Sequence, residues 1–141
     1  MGFSFFKTAL IMSDNAKEIE TFRKMANDGW LDSMYWLASA LLISNDSSDR
    51  GDEAAKWLFM AIFLGHEKSK AALEFVNSSL GVERFNKACD DAIEWLGDKY
   101  TDFEEGRDIS KWSSELYETV KKGDIDNKRR AAIKLVWSNG Q

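Results

Sequence analysis

A short pattern of glycine, serine and leucine occurs twice in this chain of 141 residues, at a constant offset of 36. With the spacing G-x3-S-x3-L, its two copies are Gly29, Ser33, Leu37 and Gly65, Ser69, Leu73. A second element repeats beside it, because the run DEAAKWL at 52–58 returns as DDAIEWL at 90–96. An internal period of this length is typical of stacked repeats, in which each unit buries its apolar face against the next. The sequence therefore predicts one domain, residues 1–141, built from stacked helical units.

Apolar residues recur at helical spacing between glycine stops and polar stretches. From 34 to 43 only Ser39 is clearly polar, which predicts a helix buried on all sides. The pattern predicts helices over about 14–28, 32–43, 52–64, 67–77, 82–99, 108–122 and 124–137, with loops at 44–51 and 100–107. Asp108 is the expected N-cap of the sixth helix and Asp124 of the seventh.

The spacing within the repeat is similar to that of the Sel-one-like repeat family, a branch of the tetratricopeptide-like helical repeats. In that family the first helix of a pair carries Gly, a small residue and Leu, and the second carries Ala, an aromatic residue, Ala and Gly. The matching residues are Gly29, Ser33, Leu37, Ala54, Trp57, Ala61, Gly65 and, directly after it, His66. The chain departs from the pattern where Ala38 replaces the usual Gly, Leu41 replaces the usual Tyr, and Ser replaces a small Ala in both copies.

This resemblance implies an all-α fold, a right-handed stack of antiparallel helix pairs that forms a short α-solenoid of about seven helices. It covers roughly residues 15–97, so residues 98–141 are expected to be a divergent repeat or a capping helix pair. It also implies a function as a scaffold or adaptor in bacterial protein complexes. A small acidic member would suit a sharper version of that function, an immunity protein that masks a secreted toxin.

Charge and composition narrow the classes of partner. The net charge of −5 argues against nucleic-acid binding, which needs a basic face, and favours a basic protein partner. The single cysteine, Cys89, and the single histidine, His66, exclude an intrachain disulfide and the common zinc sites, so we expect no metal or cofactor. No stretch is long enough to cross a membrane, and we expect a cytoplasmic protein. Residues 1–12 are largely apolar and would pack on the first helices, with contact to a membrane surface or to a partner as the alternative.

Enzymatic chemistry has little support in the sequence. We expect His66 and Cys89 to be structural, because no Ser/His/Asp arrangement is evident and Cys89 falls on an apolar helix face. The acidic segment 90–108 keeps one alternative open, a small hydrolase that uses two of its carboxylates. A solvated acidic face is the simpler interpretation, so we expect a protein that is not an enzyme.

The surplus of aromatic residues is the best indication of a binding surface. With six Trp and nine Phe, the chain has more large rings than one regular core needs. Tryptophan and tyrosine are enriched among the residues that dominate protein–protein affinity. The candidate partner-binding residues are Trp30, Tyr35, Trp36, Trp112 and Tyr117.

Overall fold

The computed structural model describes residues 16–43 and 49–123, and 82% of these residues are helical. They form six helices and no strand, which confirms the all-α prediction for this part of the chain. The helices are α1 (Ala16–Asn27), α2 (Leu31–Ile43), α3 (Asp49–Phe63), α4 (Lys68–Leu80), α5 (Val82–Glu104) and α6 (Ser114–Lys122). The apolar N-terminal segment 1–12, most of the predicted loop 44–51 and the predicted seventh helix at 124–137 lie outside the described residues.

The two repeated glycines end their helices with the same hydrogen bonds. In each turn the glycine N–H bonds the carbonyl three residues back, and the next N–H bonds the carbonyl five residues back. The four bonds are Gly29 to Ala26, Trp30 to Met25, Gly65 to Ile62 and His66 to Ala61, at 2.9 to 3.2 Å. This is the Schellman arrangement, and the φ angles of +88° at Gly29 and +98° at Gly65 favour glycine. The sequence repeat is therefore also a repeat of turn geometry.

Helix α3 lies at the centre of the described helices and packs against α2, α4 and α5. Its residues Ala54, Leu58 and Met60 are fully buried, which fits a helix with neighbours on several sides. Helix α2 packs between α1 and α3, but it is not buried on all sides as predicted, because Tyr35, Trp36, Leu42 and Ile43 are only half-buried. Short turns at 28–30 and 64–67 join α1 to α2 and α3 to α4, and the helices of each pair pack against each other.

Two charged contacts tie the helices across this core. The Arg23 guanidinium on α1 donates to both oxygens of Glu53 on α3, at 3.0 Å each, and Trp57 Nε1 donates to the same carboxylate at 3.0 Å. Burial alone would raise the pKa of Glu53, but these bonds and the charge of Arg23 bring the pKa below its ordinary value. A second pair, Arg84 to Asp52 at 2.9 Å, joins α5 to α3.

Helix α5 is longer than predicted. The loop expected at 100–107 is wrong for residues 100–104, which continue the helix because Tyr100 and Phe103 pack against the core. The helix ends at Glu104, and the N–H groups of Gly106 and Arg107 then bond the carbonyls of Phe103 and Asp102 in a third Schellman turn. Two further boundaries also differ, since α3 begins at Asp49 and α4 continues through Leu80.

The start of α6 is also different from the prediction. Asp108 does not cap it; its carboxylate accepts a hydrogen bond from the Ser110 N–H at 3.0 Å within an irregular segment that precedes the helix. The N-cap is Ser113, whose Oγ accepts from the Leu116 N–H at 3.2 Å. Ser113 also reaches across the molecule to the α1–α2 turn. Its N–H donates to the Asp28 carbonyl at 2.9 Å, and its Oγ donates to the Gly29 carbonyl.

Candidate interaction surface

Two of the five predicted aromatic residues lie together. Trp30 follows the glycine of the α1–α2 turn and is 44% exposed. Its indole N–H donates to the Lys111 carbonyl at 3.0 Å, which brings it beside the irregular segment that carries Trp112. Trp112 is half-buried and packs against the core. The structure therefore joins Trp30 and Trp112 at one corner, although 82 residues separate them in sequence.

The other three predicted residues lie elsewhere, and two of them have their own packing contacts. Tyr35, half-buried on α2, has its ring centroid 5.6 Å from that of His66, and burial raises the pKa of its hydroxyl. Tyr117 on α6 packs edge-on against Phe103 at 5.9 Å. Trp36 lies half-buried on α2. These contacts do not gather the five residues into one aromatic surface.

Lys99 is a feature of this corner that the sequence analysis missed. Its Nζ lies 5.4 Å from the ring centroid of Trp95 and 5.9 Å from that of Trp112, so the ammonium contacts two indole rings. The residue is only 8% exposed. Among the described residues, its ammonium makes no hydrogen bond and no ion pair within 4.0 Å. Burial lowers the pKa of Lys99, and the nearby carboxylates of Asp102, Asp28 and Asp98 oppose that shift.

The internal repeat indicates that Lys99 occupies a core position. The offset of 38 that aligns Trp57 with Trp95 also aligns Ala61, which is completely buried, with Lys99. A lysine therefore occupies the position of a small core residue. The two tryptophans differ as well, because Trp57 Nε1 bonds Glu53 on its own helix while Trp95 Nε1 bonds Asn27 on α1 at 2.9 Å.

Acidic side chains continue from this corner along α5. A groove between α3 and α5, with a volume of ≈ 220 Å³, is lined by Lys56, Asp91, Glu94, Trp95 and Asp98. We call it the acidic groove. We call the four residues Trp30, Trp95, Lys99 and Trp112 the indole corner. Trp95 belongs to both, since it contacts Lys99 and lines the groove.

A second cleft, of ≈ 370 Å³, opens at the α3–α4 turn and is lined by Ile62, Gly65, His66, Glu67 and Lys70. His66 Nδ1 lies 2.7 Å from Ser69 Oγ, and its Nε2 lies 3.7 Å from the Asp32 carboxylate. Burial lowers the pKa of His66, with Asp32 acting against that shift and Lys68 adding to it.

Ser69, His66 and Asp32 are the residue types of a Ser/His/Asp catalytic triad, but their geometry does not suit nucleophilic catalysis. Ser69 is 0% exposed, so its hydroxyl has no access to a substrate in the cleft. The Asp32 side chain is 90% exposed, whereas the carboxylate of a catalytic triad is buried and holds the imidazole in place. The hydrogen bond between His66 and Ser69 is therefore a local contact at the start of α4.

The carboxylates of the acidic segment are mostly exposed. Asp90, Glu94 and Asp98 are exposed on α5, and the half-buried Asp91 and Asp102 form ion pairs with Lys87 and Arg107. Carboxyl groups that act as general acids are usually held in buried sites, so this arrangement favours a solvated acidic face. The described part of the chain contains no group of three side chains that could hold a metal ion. None of its helices is long and apolar enough to cross a membrane.

Comparison of the chain with models of known protein families found no match. A search of curated proteins and a search of solved structures also returned no significant match.

Proposed function

We propose that this protein is a non-enzymatic interaction module, a scaffold or adaptor built on a right-handed stack of Sel-one-like helix pairs. Three observations support the repeat architecture. The two glycine turns share their hydrogen bonds. The equivalent residues Ala54 and Ala92 are both completely buried. Helix α3 packs against α5, the second helix of the following pair, as neighbouring units in a stack would.

The observation that carries the binding function is the exposed indole of Trp30, which bonds the segment that carries Trp112. A large apolar ring that remains 44% exposed, next to a half-buried second indole, offers area that a partner would bury. Met25 on α1, whose carbonyl accepts the Trp30 N–H, is also exposed. Trp30 and Trp112 are therefore the proposed contact residues, whereas Tyr35 and Tyr117 pack against His66 and Phe103.

The size and net charge of −5 support a sharper form of this proposal, an immunity protein that binds a basic secreted toxin. The immunity role can be tested with the protein encoded by the neighbouring gene. Co-expression with that protein should give a stable complex and suppress its toxicity. A neighbour with no affinity for the chain would contradict the immunity role without affecting the broader proposal.

Affinity capture from a cell lysate tests the interaction function. The wild-type chain should retain a defined protein, and Trp30→Ala should lose it. Phe75→Ala is the matched control, because Phe75 is also an exposed aromatic residue but lies on α4. Equal retention by all three chains would contradict the role of Trp30. Turnover of a substrate panel without any retained protein would contradict the interaction function itself.

A further inference from the structure

We infer that the acidic groove and the indole corner together bind a lysine- or arginine-rich segment of a partner protein, with a backbone carbonyl of that segment accepting a hydrogen bond from Lys99. The inference rests on the proposed interaction function and specifies the chemistry of the partner.

The first argument is the arrangement of carboxylates. Asp91, Glu94 and Asp98 lie at i, i+3 and i+7 on α5, so they share one face over about two helical turns, or roughly 10 Å. Asp91 pairs with Lys87 at 3.1 Å, whereas neither Asp98 nor Asp28 forms an ion pair among the described residues. Lys56 is the only cation among the residues that line the groove in the described part of the chain. A row of this length suits several basic side chains of an extended segment.

The second argument is the unpaired ammonium of Lys99. An ammonium has three donors, and contact with two indole faces satisfies its charge but none of its hydrogen bonds. The residue as a whole is more than nine-tenths buried, but Nζ itself is not fully shielded from solvent, so the ammonium can still donate to a ligand at the surface. An anionic ligand would face Asp28, Asp98 and Asp102, whose carboxylates already act on Lys99. A neutral acceptor fits this environment, and the carbonyl of a peptide backbone is such an acceptor.

The third argument is the apolar area beside these charges. Trp30 and Met25 are 44% and 43% exposed, and Trp30 adjoins the segment that carries Trp112. An apolar residue of the partner would pack there while its basic neighbours bind the groove. Phosphate-rich partners such as nucleic acids or anionic lipid surfaces would be repelled by the same carboxylates. A basic protein segment is the occupant that satisfies all three features.

The test titrates the full chain with a short synthetic peptide rich in lysine with one central leucine. The counterpart peptide carries glutamate in place of lysine. Two-dimensional NMR follows the indole N–H signals. The lysine peptide should shift the signals of Trp30, Trp95 and Trp112, and its affinity should fall about tenfold between low and physiological salt. The glutamate peptide should shift none of them.

Four variants locate the site. Glu94→Gln and Asp98→Asn should each weaken binding of the lysine peptide several-fold, because each removes a carboxylate of the groove. Lys99→Met keeps a chain of similar length among the indoles and should also weaken binding, because it removes the donor. Asp90→Asn is the matched control, since Asp90 is an exposed carboxylate of α5 that does not line the groove. Circular dichroism confirms that each variant is folded.

Three results would overturn the inference. If Asp98→Asn and Asp90→Asn bind the lysine peptide equally well, the binding reflects only attraction by net charge and not a defined groove. Shifts confined to the cleft around His66 would place the site elsewhere. The indole N–H signals could instead shift with protein concentration when no peptide is present. If sedimentation then also shows a dimer, the site binds a second copy of the chain. If capture still returns a partner that needs Trp30, the proposed function survives each of these results.

Discussion

Gly29 and Gly65 occupy equivalent turns, but only Gly29 is pressed against another part of the molecule. A Cβ built on Gly29 would lie 2.8 Å from Leu116 Cδ2 and 2.9 Å from Ser113 Oγ. A Cβ on Gly65 would meet no heavy atom within 4 Å. Both residues have a positive φ, so a side chain at either position has the same conformational cost. Only at Gly29 does it add a steric cost, so comparing the two positions separates the two effects.

We predict that Gly65→Ala lowers the free energy of unfolding by about 1–2 kcal/mol, the cost of a left-handed residue with a Cβ. Gly29→Ala should cost a further ~1–3 kcal/mol, because the start of α6 must move away from the turn. Urea unfolding of both variants measures the difference. Equal losses would show that the contact with Leu116 carries no energy.

His66 should make stability depend on pH near neutrality. Burial lowers the pKa of His66 in the folded state. As the pH rises, the folded protein therefore loses this proton at a lower pH than the unfolded chain does. Between pH 6.5 and that lower value the unfolded state binds more protons. The folded state therefore loses stability as the pH falls through this window and regains it above 6.5.

We expect His66→Asn to flatten this dependence, because asparagine does not titrate and its side chain can still bond Ser69. Urea midpoints of wild type and variant, compared at pH 7.5 and 5.5, provide the measurement. Acid loss from Glu53, whose pKa is also lowered, begins only below pH 4.5 and does not overlap this range. A wild-type midpoint that rises on acidification would contradict the assignment.

At the scale of single helices, prediction from sequence succeeded where the signal was local. The glycine stops after α1 and α3 follow from residues within one turn, and both were placed correctly. The start of α6 was wrong because the choice of Ser113 over Asp108 depends on carbonyls of the α1–α2 turn. The extension of α5 was missed because Tyr100 and Phe103 become helical by packing on distant residues. Local patterns contain neither interaction.

Ser113→Ala should destabilise the protein by about 1–2 kcal/mol, because it removes both the cap of α6 and the bond to the Gly29 carbonyl. Ser114→Ala is the control. Ser114 is exposed in the first turn of α6 and should change stability by no more than about 0.5 kcal/mol. Thermal unfolding of both variants gives the comparison, and a larger loss in the control would argue against the capping role.

For the whole molecule, the repeat predicted which residues form the centre but not where a partner would bind. The paired offsets identified the buried seam through Ala54 and Ala61. Of the candidate site, exposed Trp30 was predicted and Lys99 was not, because a lysine is ordinarily assigned to the surface. The meeting of Trp30, Lys99 and Trp112 depends on how the segment before α6 contacts the α1–α2 turn, which no short-range pattern records.

The packing also predicts how protection against hydrogen exchange is distributed. Amides of α3 should exchange slowest, because this helix packs against three others. Amides of α6 should exchange earlier, since α6 packs chiefly on α5 and on the α1–α2 turn. Hydrogen exchange followed by mass spectrometry measures both helices in one experiment. Equal protection of α3 and α6 would show that all six helices open together.

The bond between Ser113 and the Gly29 carbonyl spans 84 residues of sequence, and this distance has a consequence for the order of folding. The helix pairs before it form through contacts between near neighbours, which need little loop closure. The contact with α6 must wait until the chain through Ser113 has left the ribosome. Until then the carbonyls of Asp28 and Gly29 lack the bonds that Ser113 gives them in the folded protein. The α1–α2 turn is synthesised before the other turns between the described helices, yet it is among the last to acquire its final partners.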